Sequence, residues 1–600
     1  MAGFSGRDAA STWEEAHKKR VFFYASAAVF AASFLIYSPT LLHTFAWDDT
    51  TVVGSIYKEL GGYNIYRGGE AYFRPFMPIL NKIDSILWHS NTHGYHLTNL
   101  LLNSFVCTLV FGLAFMLLGS MPAALTTAAL FILHPAHADS VAWVSGRTDI
   151  VASLFFLLSL MTYIMFRQSG KYTGLALSSV FLLFSLLCKE IAVVLPITVF
   201  SYDRLIREEK GKDLIFPQIP LFLTIGIYAL LRGGFSLGVH AARSATPAAP
   251  GTAYIVPSAA ASAASPLIDS LKEIIYGFGF YVNKLLLPYD LTVFPDTRLA
   301  INLFFAALFF VVLAAAVVRR HRITVFALLF FMVLLAPTFF TMLMALIPAT
   351  VAVRYLYLPV FGLCLAAGYA YTKIPRKAAL AIVTALSLFY AAGLHPRNME
   401  WKNSVTLFKH EVEKNPESAM AHMQNALVSI SAKQYDMAEK EIDYLEANFE
   451  KLKCRKEIKG TFFTKIISTK GEIRLVKGDP EGAKFYFEKA GNLNPNIPGL
   501  NFILGEMAFG EYLKTADPSS IVKAQNYYEK EDAVMPNQAK INYALGRTNL
   551  LLGKKDKAIK YFSRVAEIDP DSSLAAPAVR EVYKLRFGVD PAAGGALKRK

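Results

Sequence analysis

Apolar runs long enough to cross a lipid bilayer dominate the first 400 residues of the chain. A transmembrane helix needs about 20 mostly apolar residues to span roughly 30 Å of hydrocarbon. Of the 600 residues, 54% are hydrophobic and only 18% are charged. This composition predicts an all-α polytopic membrane protein. About eleven spans meet the length criterion, near residues 21–43, 97–118, 122–134, 150–166, 173–188, 191–203, 214–231, 301–318, 323–341, 355–372 and 378–394.

The frequency of charged residues divides the chain into a part suited to lipid and a part suited to water. From Trp401 to the C-terminus 58 of 200 residues are charged, against 49 of the first 400. The net charge of +15 divides as +6 for the C-terminal part and +9 for the first 400 residues. Basic loops between the spans explain the +9, so a nucleic-acid partner is not expected. We predict a transmembrane domain over 1–395, with outer loops at 44–96 and 134–149, and a polar domain over 396–600.

Basic residues gather in alternate loops, at 18–20, 167–171, 204–212, 319–322 and 373–377. All of these loops face the cytoplasm if the N-terminus does. The apolar stretch 273–291 is then interfacial or re-entrant, because one more crossing would reverse the later loops. An odd number of crossings places the C-terminal domain outside the cytoplasm. The lack of an Asn-x-Ser/Thr sequence favours a bacterial inner membrane and periplasm over the endoplasmic reticulum.

The C-terminal domain repeats with the tetratricopeptide period of 34 residues. Gly505 and Gly546 occupy equivalent positions, each after an Asn-x-x-Leu sequence. Ala524 and Ala558 are 34 residues apart, as are Pro536 and Pro570. Such units are helical hairpins that stack into an α-solenoid with a concave groove. We therefore expect the groove to bind polypeptide.

The predicted outer loops carry ionisable residues at the membrane boundary, where charge costs free energy unless it pairs or works. The first loop contains Trp47-Asp48-Asp49 and Phe73-Arg74-Pro75, and a later one supplies Arg354. The second loop has two histidines, two carboxylates and an arginine: His134, His137, Asp139, Arg147 and Asp149. Lys189-Glu190 forms a third, very short loop.

Together these motifs resemble the transmembrane and tetratricopeptide-repeat-containing family. The resemblance rests on the first-loop motifs, on His96-x-x-Asn99, on the run from His134 to Asp149, on Cys188-Lys189-Glu190, and on Arg354-Tyr-Leu-Tyr-Leu-Pro359. The family consists of C-type glycosyltransferases related in fold to the protein O-mannosyltransferases. The resemblance implies transfer of mannose or another hexose from a polyprenyl or dolichyl phosphate to Ser/Thr hydroxyls of exported proteins, with inversion.

The same resemblance implies roles for individual residues. Asp48 or Asp49 would be the base that deprotonates the acceptor, with Asp49 slightly favoured. The departing lipid phosphate would be bound by cationic groups and a histidine: Arg74, Arg147, Lys189, Arg354 and His137. A divalent metal stays open, with His134, His137 and Asp139 as candidate ligands.

Structural roles compete with these assignments. Asp48 could cap a helix, Asp49 could pair with Arg74, and Lys189 could neutralise Glu190. The loop tryptophans have a default explanation as an interfacial aromatic belt. Two other functions also stay open: the same donor chemistry on a glycan or lipid acceptor, and a membrane-anchored repeat scaffold without catalysis.

Overall fold

The computed structural model describes residues 6–49, 73–245, 267–343, 351–454, 458–570, 572–588 and 590. Over these ranges the chain is helical and has no strand, with one isolated bridge between Ser418 and Lys453. The prediction of an all-α protein is confirmed. Residues 50–72, a large part of the predicted first outer loop, lie outside the described residues.

Two compact units divide the chain, the first made of residues 1–233 and 263–416 and the second of 234–262 and 417–600. The sequence analysis placed a domain boundary at 396, ahead of the helix Ser404–Lys414. That helix belongs to the first unit because its side chains bond to loops of that unit, including the backbone N–H of Val293 and of Trp47.

The first unit contains α1 to α16 in chain order. Their bounds are α1 Gly6–Tyr37, α2 Phe76–Trp88, α3 Thr92–Leu118, α4 Met121–Leu133, α5 Ala138–Val141, α6 Arg147–Ser169, α7 Tyr172–Cys188, α8 Leu195–Leu205, α9 Lys212–Ile215, α10 Ile219–Ala245, α11 Leu267–Leu286, α12 Ala300–Val318, α13 Arg322–Leu343, α14 Val360–Tyr371, α15 Arg376–Glu400 and α16 Ser404–Lys414. Short 3₁₀ turns at Pro135–His137, Val144–Gly146, Glu190–Val194 and Val353–Leu356 lie in the loops.

Seven helical stretches of the described residues are long and apolar enough to cross a membrane, which makes the chain an integral membrane protein. They are His17–Leu42, Thr92–Leu118, Val144–Ser169, Lys212–Gly234, Ala300–Val318, Arg322–Thr341 and Arg376–Glu400. Met121–Leu133, Tyr172–Cys188 and Val360–Tyr371 are shorter apolar helices. The count of about eleven crossings stays a prediction.

Two predicted segments differ from the long spans. The span expected at 191–203 is the eleven-residue helix α8, because a 3₁₀ turn occupies Glu190–Val194 and the helix begins only at Leu195. The stretch 273–291, expected to be interfacial or re-entrant, falls largely in α11, which ends at Leu286. Helix α11 contains four charged residues and is not among the candidate spans.

The second unit is built from helical hairpins, as the 34-residue period predicts. Its helices are α17 Ala419–Ser431, α18 Tyr435–Asn448, α19 Lys459–Val476, α20 Pro480–Leu493, α21 Leu500–Thr515, α22 Pro518–Val534, α23 Ala539–Leu551, α24 Lys555–Ile568 and α25 Ala575–Phe587. Gly505 and Gly546 lie where paired helices approach most closely: an added Cβ would meet the rings of Tyr528 and Phe562 within 3 Å. The repeat interpretation is confirmed.

Several loops of the first unit meet at one end of its helices. Asp49 bonds to Ser145, Thr44 to Lys402, and Trp47 to Ser404. Loops from the opposite end are joined separately, by the ion pair between Arg322 and Glu208. The loop end that contains Asp49 therefore brings most of the predicted site residues into one region.

Candidate active site

Asp49 is completely buried and fixes the first loop to the second. Its Oδ1 accepts hydrogen bonds from Ser145 N at 2.8 Å and Ser145 Oγ at 2.6 Å. Its Oδ2 accepts from Ala46 N at 3.1 Å and Val144 N at 3.3 Å. Burial raises the pKa of Asp49 to about 7, although the hydrogen bonds from Ser145 and Ala46 oppose the rise. Because four protein donors occupy the two oxygens of this buried carboxylate, they leave it no free lone pair for a hydrogen bond from a substrate hydroxyl.

Asp48 has the opposite environment. It is half-buried, and its Oδ1 is shielded from solvent without a hydrogen-bond partner in the described part of the chain. Burial raises the pKa of Asp48, and the positive charge of Arg354 opposes the rise. The side chains of Trp143 and Ser145 also lie close enough to favour the charged form of Asp48, which further opposes the effect of burial. Asp48 Oδ1 is therefore a buried acceptor, close to Trp143 and Arg354, that the described residues leave without a hydrogen bond.

Arg354 lies on an aromatic surface and forms no ion pair among the described residues. Its guanidinium carbon is 5.3 Å from the ring centroids of Trp143 and Tyr355, and 5.7 Å from that of Trp47. Burial alone would lower the pKa of Arg354, but the field of its ionisable neighbours raises it; these are Tyr355, Asp149, Asp139 and Asp48. Arg354 is therefore a charged donor group available to an anion.

Lys189 approaches the same place from another loop. Its Nζ lies 4.7 Å from the centroid of Tyr355, on whose ring Arg354 also packs. Lys189 forms an ion pair with Asp149. The structure therefore brings Lys189 and Arg354 together around one tyrosine, but only Lys189 has a carboxylate partner of its own.

Arg74 and Glu190 pair with each other rather than with the partners considered from the sequence. The guanidinium donates to Glu190 Oε2 from Nε at 3.2 Å and from Nη2 at 2.8 Å. The alternative pairs Asp49–Arg74 and Lys189–Glu190 are not formed, because Glu190 takes Arg74 and Asp149 takes Lys189. Both members of the Arg74–Glu190 pair are about a quarter exposed, so this pair lies at the rim of the region.

Arg147 does not face the region, although the sequence suggested a role in binding phosphate. Its side chain is 1% exposed and pairs with Asp84. Its other donors bond to Asn99 Oδ1 at 2.9 Å, Tyr95 O at 3.1 Å and Asn81 Oδ1 at 3.3 Å. Every guanidinium nitrogen therefore has a protein acceptor, and Arg147 joins the start of α6 to α2 and α3.

The three candidate metal ligands point to different partners. His134 Nε2 lies 3.1 Å from Leu285 O, and His137 Nε2 lies 3.0 Å from Tyr357 O. Asp139 accepts hydrogen bonds from Arg397 and from the Trp401 indole. Burial lowers the pKa of His134 to about 4 and that of His137 to about 3, so both rings are neutral. No set of three ligand side chains gathers within the described ranges.

The sequence analysis missed a buried network at the end of α15. Arg397 is 3% exposed and pairs with both Asp139 and Glu400, at 2.8 Å and 2.6 Å. Trp401 stacks on Trp143, which in turn stacks on Trp47, with centroid separations of 5.7 Å and 5.2 Å. The detectable signal was Arg397-x-x-Glu400-Trp401, a charged pair at the end of an apolar helix.

The arrangement thus combines an acceptor oxygen on Asp48 with a cation on Arg354, both beside a stack of tryptophans. A carboxylate with a raised pKa suits proton abstraction, and a guanidinium suits phosphate oxygens. Asp49 joins the loop of Asp48 to the loop of Trp143, and Arg147 holds that second loop to α2 and α3. The pair of Asp48 and Arg354 could accept a proton from a hydroxyl, at the carboxylate, and bind an anionic leaving group, at the guanidinium.

Comparisons with known proteins bear on the resemblance seen in the sequence. The tetratricopeptide repeat model matches residues 539–572. Protein O-mannosyl-transferase Tmtc1 of Drosophila melanogaster is 29% identical over 177 residues, which cover 27% of this chain and 21% of that protein. Protein O-mannosyl-transferase TMTC4 of Homo sapiens is 37% identical over 117 residues, 16% of each chain.

A longer match covers about half of this chain. Protein O-mannosyl-transferase TMTC4 of Mus musculus is 25% identical over 386 residues, covering 55% of this chain and 51% of that protein. The chain is a relative of the transmembrane and tetratricopeptide-repeat-containing O-mannosyltransferases. The matches span between 16% and 51% of the length of these curated relatives.

Proposed function

We propose that this O-mannosyltransferase relative is a C-type glycosyltransferase that moves a sugar, mannose or another hexose, from a polyprenyl or dolichyl phosphate to Ser/Thr hydroxyls of exported proteins. The observation that carries the proposal is the unpartnered Asp48 oxygen beside the unpaired Arg354. This reaction needs one base to deprotonate the acceptor hydroxyl and one cationic site for the lipid phosphate.

Asp48 is the proposed base, and Asp49 the residue that holds its loop. The sequence slightly favoured Asp49, but Asp49 is occupied by four donors, which leaves Asp48 as the carboxylate able to meet a hydroxyl. Asp48 would take the proton while the acceptor oxygen attacks the anomeric carbon and the lipid phosphate departs. Direct attack of this kind inverts the anomeric centre.

Arg354 is the proposed ligand of the departing phosphate, with Lys189 beside it across Tyr355. An apolar groove of about 290 Å³ offers space for a lipid tail; it is lined by Ile274, Ile275, Phe278, Ala306, Phe310, Met332, Ala336 and Phe339. Phe339 contacts Tyr281, whose hydroxyl accepts a hydrogen bond from Ala352 N, two residues before Arg354. Phe339, Tyr281 and Ala352 therefore connect the lining of the groove to the segment that carries Arg354. The participation of a divalent metal stays open.

The repeats are proposed to bind the acceptor polypeptide in their groove. Binding to repeats that are tethered to the membrane unit by the same chain would raise the local acceptor concentration. With the N-terminus in the cytoplasm, the loops and the repeats both lie outside it, in a bacterial periplasm. A glycan or lipid acceptor would use the same donor chemistry without needing the groove.

Glycopeptide mass spectrometry of the envelope proteome tests the proposal. Matched strains would express the wild type, Asp48→Asn, Asp49→Asn or no protein, at equal levels of folded enzyme. We expect Asp48→Asn to lower Ser/Thr-linked sugar about 100-fold or more, since general-base catalysis contributes roughly 10²–10⁴.

Identical protein glycosylation in all strains would reject a protein acceptor, and a change confined to envelope glycans or lipids would favour the alternative acceptor. If Asp48→Asn were fully active and Asp49→Asn were folded but inactive, Asp49 would instead be the catalytic base. A scaffold would keep its phenotype in both variants.

A further inference from the structure

Helix α16 bonds to the loop that carries the candidate base. Ser404 Oγ, at the first residue of the helix, accepts a hydrogen bond from Trp47 N at 2.9 Å. The carbonyl of Lys402, just before the helix, accepts one from Thr44 N at 3.0 Å. The segment that enters α16 therefore holds the backbone of the first loop on both sides of Phe45 and Ala46.

Trp47 needs this support because its backbone has a left-handed conformation, with φ of +56°. Residues with bulky side chains seldom adopt this region, and such strain persists only where surrounding contacts enforce it. It is concentrated at functional sites in proteins. Trp47 directly precedes Asp48, so its conformation sets the direction in which the Asp48 side chain leaves the chain.

A second set of contacts reaches Trp47 from its ring. The Trp47 ring packs edge-on against Phe294 and Phe408, with centroid separations of 6.2 Å and 6.3 Å. Phe408 belongs to α16, and the rings of Phe294 and Phe408 stack at 6.3 Å. The position of Phe294 therefore determines one of the surfaces against which the Trp47 ring packs.

Glu411 fixes the backbone at Phe294. This glutamate of α16 is 2% exposed, and its two carboxylate oxygens accept hydrogen bonds from Val293 N at 2.7 Å and Phe294 N at 2.9 Å. Asn415 Nδ2 donates to Phe294 O at 2.8 Å. One turn of helix thus holds both the N–H and the C=O of Phe294.

We infer that Ser404 and Glu411 are positioning residues for the candidate base. Ser404 holds Trp47 through its backbone, Glu411 holds it through the ring of Phe294, and together they keep Trp47 in the conformation that directs Asp48 toward Arg354. The inference rests on the proposed function, since it assigns these residues to the same site. Neither residue touches the donor or the acceptor in this scheme, so their loss should lower kcat much more than it raises KM for the donor.

The test compares variants of full-length purified protein in detergent. Glu411→Ala removes both acceptors, and Glu411→Gln keeps one. Ser404→Ala removes the acceptor of Trp47 N–H, and Ser404→Thr retains an Oγ. Glu413→Ala is the matched control, because Glu413 lies on the same helix and has the same charge, but is 54% exposed and pairs only with His410.

Two readouts are needed, amide hydrogen exchange and single-turnover sugar transfer. We expect Glu411→Ala to accelerate exchange in peptides covering 291–297 and 43–49, and to lower kcat about 10- to 100-fold, the range for a misplaced catalytic group. Ser404→Ala should accelerate exchange in 43–49 and lower kcat similarly. Ser404→Thr and Glu413→Ala should match the wild type, and Glu411→Gln should be intermediate.

Unchanged exchange in 43–49 for both alanine variants, in folded protein, would overturn the inference. Accelerated exchange with unchanged kcat would also overturn it, because the loop would then be held without effect on the chemistry. If the wild type itself transfers no sugar, the proposed function fails, while the exchange data still decide whether α16 holds Trp47.

Discussion

At the scale of single residues, two adjacent carboxylates have different roles because their surroundings differ. Asp49 is fully buried and satisfied by loop donors, whereas Asp48 has an oxygen without a partner among the residues described. Sequence alone offers no means to separate them, since both follow the same tryptophan. Two partners of Asp49, Val144 and Ser145, lie 95 and 96 residues away in the chain.

Asp49 should make the stability of the protein depend on pH. Burial raises its folded-state pKa to about 7, above the value near 4 of an unfolded chain. The folded state therefore binds the proton more tightly, and this contribution to the free energy of unfolding is complete below pH 4 and is lost as the pH rises through 7. We expect Asp49→Asn to flatten the fall in melting temperature between about pH 4 and 7. Parallel melting curves for the two proteins would contradict this prediction.

At the scale of elements, a buried ion pair joins three helices of the membrane unit. Arg147 begins α6, Asp84 lies in α2, and their side chains are 1% and 2% exposed. Asn99 and the carbonyl of Tyr95, both in α3, complete the shell of Arg147. The pair therefore fixes the loop that follows Trp143 relative to helices α2 and α3.

Removing one member of this pair should be more harmful than removing both. We expect Arg147→Leu to lower the free energy of unfolding by about 3–5 kcal/mol, because it leaves the Asp84 charge buried without a partner. Adding Asp84→Leu should recover part of the loss. Arg298→Ala, which breaks an exposed pair with Glu273, should cost about 1 kcal/mol or less. Thermal unfolding in detergent measures all three, and additive losses in the double variant would contradict the prediction.

Two glycines of helix α21 provide a matched test of the repeat packing. An added Cβ at Gly505 would lie 2.5 Å from Tyr528 Cε1, whereas one at Gly510 meets nothing within 4 Å. Gly505→Ala should therefore destabilise the second unit by about 1–3 kcal/mol through overpacking. Gly510→Ala should be neutral or stabilise it by up to about 1 kcal/mol, since alanine favours helix. Chemical denaturation followed by circular dichroism would show the difference, and equal effects would argue against the close approach.

At the scale of the whole molecule, the place where a truncation is made should decide what is lost. Helix α16 belongs with the membrane unit, and the repeats follow Pro416. We expect a chain ending at Pro416 to bind the lipid-phosphate donor like the full protein, but to lose most transfer to polypeptide.

A chain ending at Lys402 should also lose catalytic turnover, because Trp47 and Phe294 then lack Ser404 and Glu411. Donor binding and transfer to a short peptide, measured on matched amounts of folded protein, separate the two truncations. Equal transfer to full-length acceptors by the chain ending at Pro416 would show that the repeats do not serve the acceptor.

The sequence by itself determined what depends on local periodicity and composition. Apolar length predicted the membrane helices, the 34-residue period predicted the stacked hairpins, and motif content indicated the family. Each of these features depends on residues that are close together in the sequence, so it can be recognised without knowing the tertiary structure.

Only the tertiary structure decided which side chains are free and which are already occupied. Arg147 and Asp49 are residue types that often occur in active sites. In this fold, however, groups that are distant in the sequence already occupy their hydrogen-bonding atoms. Ser404 lies 357 residues from Trp47, so no local pattern relates them. Whether a charge binds substrate or holds a loop depends on which groups the fold places within hydrogen-bond distance, and that follows from packing across the entire unit.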